Sequence, residues 1–146
     1  MVRKKNKKTI VLLDIIDLQG DGYHPLISVT VFGKPFVLVL DTGASKTAFD
    51  QGIVQTEAQT VLTSSDRLST GLGTNNMASF TAIIHDFHVG DLLVDPFEVA
   101  VLDLSAINSA YEQLGHPEVL GVLGGDILMK YKAVIDYGKW RLTLKG

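Results

Sequence analysis

The chain has 146 residues, 46% apolar and 20% charged, with 14 Gly, 4 Pro and no Cys. This is enough for one domain with a real core, and it excludes a disulfide framework, a thiolate metal site and a cysteine nucleophile. The net charge of −3 is uneven: Arg3, Lys4, Lys5, Lys7 and Lys8 open the chain, and the rest carries 8 Lys/Arg against 16 Asp/Glu.

Residues 1–8 read as a basic, solvated, mobile tail, and residues 9–146 as the folded domain. The acidic body makes a poor nucleic-acid partner, although the tail alone would suit one. The apolar stretch Thr9–Leu13 stops at Asp14, and no small-residue cleavage site follows. The chain therefore reads as not secreted, as cytoplasmic, and as having no membrane span. Ile10–Ile16 is predicted as a first strand and Gln19–Gly22 as a turn. Leu26–Phe32 and Pro35–Leu40 form a predicted hairpin around Gly33-Lys34. Val37–Leu40 is continuously apolar, which predicts a strand buried on both faces.

Residues 51–64 fit neither period clearly, and Ser69–Asn76 reads as a flexible turn segment. Phe80–Val89 and Phe97–Leu102 are predicted strands, with a turn at Gly90-Asp91. Ser105–Leu114 is the best helix, with Asp103 or Ser105 to cap its start and Gly115 to end it. A second short helix is predicted at Asp126–Lys132. Ala133–Tyr137 and Trp140–Leu144 form a closing hairpin. Many short strands with Gly-rich turns argue for a β-barrel or sandwich carrying one or two helices.

Chemistry concentrates at Val37-Leu38-Val39-Leu40-Asp41-Thr42-Gly43-Ala44-Ser45. A carboxylate that ends a buried strand is costly unless it is hydrogen-bonded or shares a proton. Gly43 lets the backbone turn and brings its N–H toward that carboxylate, and Thr42 adds a hydroxyl. The plainer reading is an Asp that bonds its own turn. This segment resembles the active-site loop of the retropepsin-like aspartic proteases, and is most similar to their single-domain bacterial members. Val122-Leu123-Gly124-Gly125-Asp126-Ile127-Leu128 resembles the family's apolar-apolar-Gly strand and following helix, and 133–144 its final hairpin. The resemblance covers residues 24–144.

The resemblance implies a closed β-barrel-like acid protease fold with one or two short helices. It implies an aspartic endopeptidase with one catalytic Asp per protomer, needing no metal and no cofactor. No second Asp-Thr-Gly is present, and Asp136-Tyr137-Gly138 fits a hairpin turn better. A homodimer is therefore expected, in which Asp41 and its symmetry mate share a proton and activate water against a polypeptide substrate. By resemblance Thr42 braces the two loops, and the Gly43 N–H orients the carboxylates. Ala44 and Ser45 line the substrate backbone, although Ser45 stands where retroviral members carry an acid. Gly71, Leu72 and Gly73 are the expected tip of a flap over the cleft, or else an ordinary surface loop. Retroviral dimers interleave their termini, but here residues 1–23 precede the first matched strand, so the dimer sheet is expected to differ. The segment 102–118 is extra relative to viral protomers. The alternative function is a non-catalytic dimerisation or peptide-binding module that keeps the fold.

Other signals are weak. His85 and His88 lie on opposite faces of a strand and lack a third ligand. The Asp17–Gly22 segment fails as a calcium loop at Gln19 and Ser28.

Overall fold

The computed structural model describes residues 7–58, 63–64 and 80–146. The first half of the chain forms β1 (Lys8–Leu12), β2 (Asp14–Asp17), β3 (Tyr23–Val31), β4 (Lys34–Leu40), β5 (Ala48–Asp50), helix α1 (Gln51–Ala58) and β6 (Thr63–Ser64). The second half forms β7 (Phe80–Ile84), β8 (Phe87–Val89), β9 (Leu92–Val94), β10 (Phe97–Leu102), α2 (Ser105–Gln113), β11 (Gly121–Leu123), α3 (Gly125–Lys130), β12 (Val134–Asp136) and β13 (Arg141–Lys145).

The main sheet runs β6-β7-β10-β5-β11-β4-β3-β8-β9, with β2 also paired to β3. It curls into a half-barrel. The closed barrel expected from the sequence is not formed, because the path ends at β6 and β9 without a pairing between them among the described residues. The β9 edge turns elsewhere. Its tight turn docks on β1, where a Cβ at Gly90 would come within 3.0 Å of Thr9 and Val11 side-chain carbons. The Thr9 hydroxyl donates to Asp91 at 3.0 Å, and Lys7 pairs with the same carboxylate at 2.9 Å.

A second, three-stranded sheet orders β1-β13-β12 and joins the two ends of the described chain antiparallel, from Lys8↔Lys145 to Leu12↔Arg141. Lys7 and Gly146 exchange two main-chain hydrogen bonds beyond it. The predicted strand Ile10–Ile16 is thus two strands. Leu13 is buried, and its N–H donates to the Trp140 carbonyl at 2.8 Å, so the chain changes sheets there. Phe80–Val89 also divides, at His85-Asp86, because β7 pairs with β10 whereas β8 pairs with β3 and β9.

Strand β4 is covered on both faces, as its apolar run requires. Leu38 and Leu40 enter the main core with Phe49, Phe87, Leu123 and Leu142. Val39 points the other way, into a second cluster with Ile16, Leu26, Tyr111 and Val119. Helix α2 supplies Tyr111 to that second face. Neither expected residue holds the cap position, which falls to Leu104 without a side-chain cap, although Asp103 just before it accepts the Ser105 N–H at 2.9 Å. The helix ends at Gly115, whose φ of +79° is compatible with paired bonds from Gly115 and His116 back to Glu112 and Tyr111. Residues 51–58, ambiguous in sequence, are helical, and the Ile53 N–H there donates to Asp50 at 3.1 Å.

Candidate active site

Asp41 leaves the end of β4 half-buried, with its N–H donating to the Leu123 carbonyl at 3.0 Å. The bond continues the parallel pairing of β4 with β11, Leu38↔Gly121 to Leu40↔Leu123. The carboxylate is therefore placed by the sheet itself. The chain then turns: the Gly43 N–H donates to Asp41 Oδ1 at 2.9 Å, and the Ala44 N–H to the Asp41 carbonyl at 3.2 Å. Thr42, Gly43 and Ser45 are exposed, and Ala44 is half-buried.

What fixes this loop is the segment 121–127. The Ala44 and Ser45 carbonyls accept the N–H groups of Gly125 (2.7 Å) and Asp126 (3.1 Å). Asp126 answers with its side chain: Oδ1 accepts from the Thr47 N–H at 2.9 Å, the Thr47 hydroxyl at 2.8 Å and its own Ile127 N–H at 2.9 Å. The Thr47 hydroxyl oxygen accepts the Gly124 N–H at 3.0 Å. Thr47 is fully buried, so these bonds are shielded from water. The approach is so close that a Cβ at Gly124 would sit 2.7 Å from the Lys46 carbonyl carbon. A Cβ at Gly121 would collide with the Ala48 carbonyl oxygen. Glycine at these two positions is a packing requirement.

A family model described as aspartyl protease matches residues 27–127, which span both the Asp41 loop and its brace. The chain belongs to the aspartyl protease family. Among solved structures, a retropepsin-like aspartic protease from Rickettsia conorii is similar, with a TM-score of 0.53 and 19% identity over 95% of this chain and 89% of that one. The retroviral protease-like domain of Ddi1 from Leishmania major is also similar, with a TM-score of 0.53 and 14% identity over 82% and 86% of the two chains. At such identities the likeness speaks for a retropepsin-like fold alone. No curated protein matches.

Within this aspartyl protease chain the predicted residues 41–45 form one continuous loop, whereas Gly71, Leu72 and Gly73 lie outside the described residues. Asp136 is on the β12–β13 turn and accepts the Lys139 N–H at 2.9 Å, so it is a hairpin residue. Among the described residues no cluster of three or more His, Asp or Glu comes together to hold a metal ion, and no helix is long and apolar enough to cross a membrane. His88 and Asp86 stand 3.5 Å apart on the surface.

Sequence reasoning missed Thr47 and Asp126 as the brace. A buried Thr just after the loop and an Asp just after Gly-Gly were the available signals. It also left the extra segment without a role. Tyr111 of α2 is 3% exposed beneath the end of β4, and its phenol is pushed up from the ordinary 10.0 by burial and then by the charge of Asp41. Three attachments hold α2 there. Asn108 exchanges two bonds with the Val119 main chain, at 2.8 and 3.0 Å. The Leu104 N–H donates to buried Asp50 at 2.9 Å. His116 Nε2 lies 2.8 Å from the Asp17 carbonyl oxygen.

Proposed function

We propose that the chain is an aspartic endopeptidase whose active site is completed by two copies, each giving Asp41. The observation that supports this is the half-buried Asp41 carboxylate, held by the Gly43 N–H on a loop whose own backbone is pinned by Asp126 and Thr47. Such a loop presents its charge in one fixed place, which suits a group that must meet its twin across a two-fold axis. Two carboxylates in contact cannot both ionise, so the pair holds one proton.

The ionised member takes a proton from a water between them. The protonated member donates to the scissile carbonyl oxygen as the water oxygen attacks. A tetrahedral diol results. Transfer of a proton to the amide nitrogen then lets the C–N bond break, and the pair recovers its single proton. Thr42 braces the two loops in this reading, and Ala44 and Ser45 border the peptide. The working domain in this reading is residues 9–146, with Lys7 and Lys8 of the basic stretch joined to its terminal sheet. The second copy docks without strand exchange, because β1 already pairs with β13 in its own chain. The working place is the cytoplasm of a bacterial cell.

Cleavage of an unfolded protein such as casein between pH 4 and 7 tests the reading. Wild type should cut, and Asp41→Asn should fall to background while sedimentation still reports a dimer. Equal behaviour of the two, with peptide binding retained, would establish a binding module instead.

A further inference from the structure

A second polar arrangement lies beside the Asp41 loop, and the proposed reaction leaves it unused. The bonded register of β3 and β4 ends at Leu26↔Val39. Two residues on from that pair stand His24, still within β3, and Asp41, just past the end of β4. Side-chain alternation along β3 puts His24 on the face of Leu26, and the Asp41 charge acts on Tyr111 at that same face. That face is the one Tyr111 covers. The Tyr111 hydroxyl lies 2.6 Å from Nδ1 of His24, an exposed residue on β3.

The chemistry of this pair sets a tautomer. Tyr111 is only 3% exposed, and Nδ1 of His24 is the partner of its hydroxyl among the described residues, so the direction of this one bond decides where the imidazole proton sits. Burial, and secondarily the Asp41 charge, disfavour the phenolate, so the hydroxyl keeps a proton that it can give to Nδ1. A donor aimed at Nδ1 leaves the imidazole proton on Nε2. His24 then carries an N–H open to the outside at the level of Asp41. The fixed attachments of α2 give Tyr111 no freedom to leave, and one of them, His116 to Asp17, ties the helix to β2 beside the Ile16↔His24 pair.

We propose that His24 is a substrate-binding residue of the Asp41 cleft, its Nε2–H donating to a main-chain carbonyl of an extended peptide, with Tyr111 as the positioning residue that holds the ring. The inference rests on the peptidase reading for the cleft's occupant. The Asp41 charge disfavours an acidic side chain at this place, so the neutral peptide carbonyl is the fitting acceptor.

Steady-state cleavage of an unfolded casein fragment separates the outcomes. Tyr111→Phe keeps the ring and removes the hydroxyl. It and His24→Ala should each raise KM by about three- to tenfold, the range of one hydrogen bond, with kcat within about twofold of wild type. The double variant should be no worse than His24→Ala, and His24→Gln, which keeps an N–H donor, should recover part of the loss. Long-range nitrogen–proton spectra should show the proton on Nε2 in wild type and a mixed tautomer in Tyr111→Phe. A proton on Nδ1, or an unchanged KM in an enzyme that still requires Asp41, overturns the His24 assignment alone. Absence of cleavage by wild type, or cleavage that survives Asp41→Asn, overturns the peptidase reading and this inference with it.

Discussion

Two pieces of chain close on the end of β4, and they hold it by different means. Segment 121–127 grips the Asp41 loop through main-chain groups, two glycines and one carboxylate that accepts three hydrogen bonds. Helix α2 covers the opposite face with side chains, chiefly Tyr111 against Val39, and is tied by Asn108 and His116. Main-chain contact leaves no slack, because any added atom meets backbone. Side-chain contact can be exchanged for another packing of similar volume. The first region therefore sets where the carboxylate stands, and the second sets what surrounds it.

The largest effect is expected from Gly124→Ala. The methyl meets Lys46 main chain, so the loop has to move, and stability should fall by about 3 kcal/mol or more in denaturant unfolding. A loss below about 0.5 kcal/mol would show slack in the brace and end the contrast. Asp126→Ala comes next. It strands the Thr47 N–H and hydroxyl, and should cost about 2–4 kcal/mol while shifting the amide resonances of residues 41–47. Asn108→Ala sharpens the comparison from the other side. It breaks both bonds to Val119 and should cost about 1–3 kcal/mol, yet leave those loop resonances in place. If they move as far as in Asp126→Ala, the two regions act as one.

The smallest effect belongs to Tyr111. Its folded-state ionisation lies above the ordinary 10.0, so above that pH the unfolded chain loses the phenol proton while the folded one keeps it. That contribution is complete below pH 10 and drains away as pH rises further. Stability measured from pH 9 to 11 should fall less steeply in Tyr111→Phe than in wild type.

The contrast also explains what was legible. The Asp41 loop and the Val122–Leu128 segment each announce themselves locally, by an apolar run that stops at a charge or at paired glycines. So do the Gly33-Lys34 and Gly138-Lys139 turns. The breaks at Leu13 and at His85-Asp86 do not, because the apolar pattern continues while the strand changes partner. The open end of the sheet was hidden for the same reason: turn residues mark where strands stop, and nothing local says whether the first edge meets the last. Tyr111 and His24 are 87 residues apart, and only packing brings them together.

The terminal sheet carries a kinetic consequence. Pairing Lys8 with Lys145 joins positions separated by nearly the whole described chain, and closing so long a loop is entropically slow. During synthesis β1 emerges well before β13 and has to wait for it. Its outward residues Ile10 (51% exposed) and Leu12 (74%) stay uncovered even afterwards, so until β13 has emerged β1 is an unpaired apolar strand open to wrong pairing.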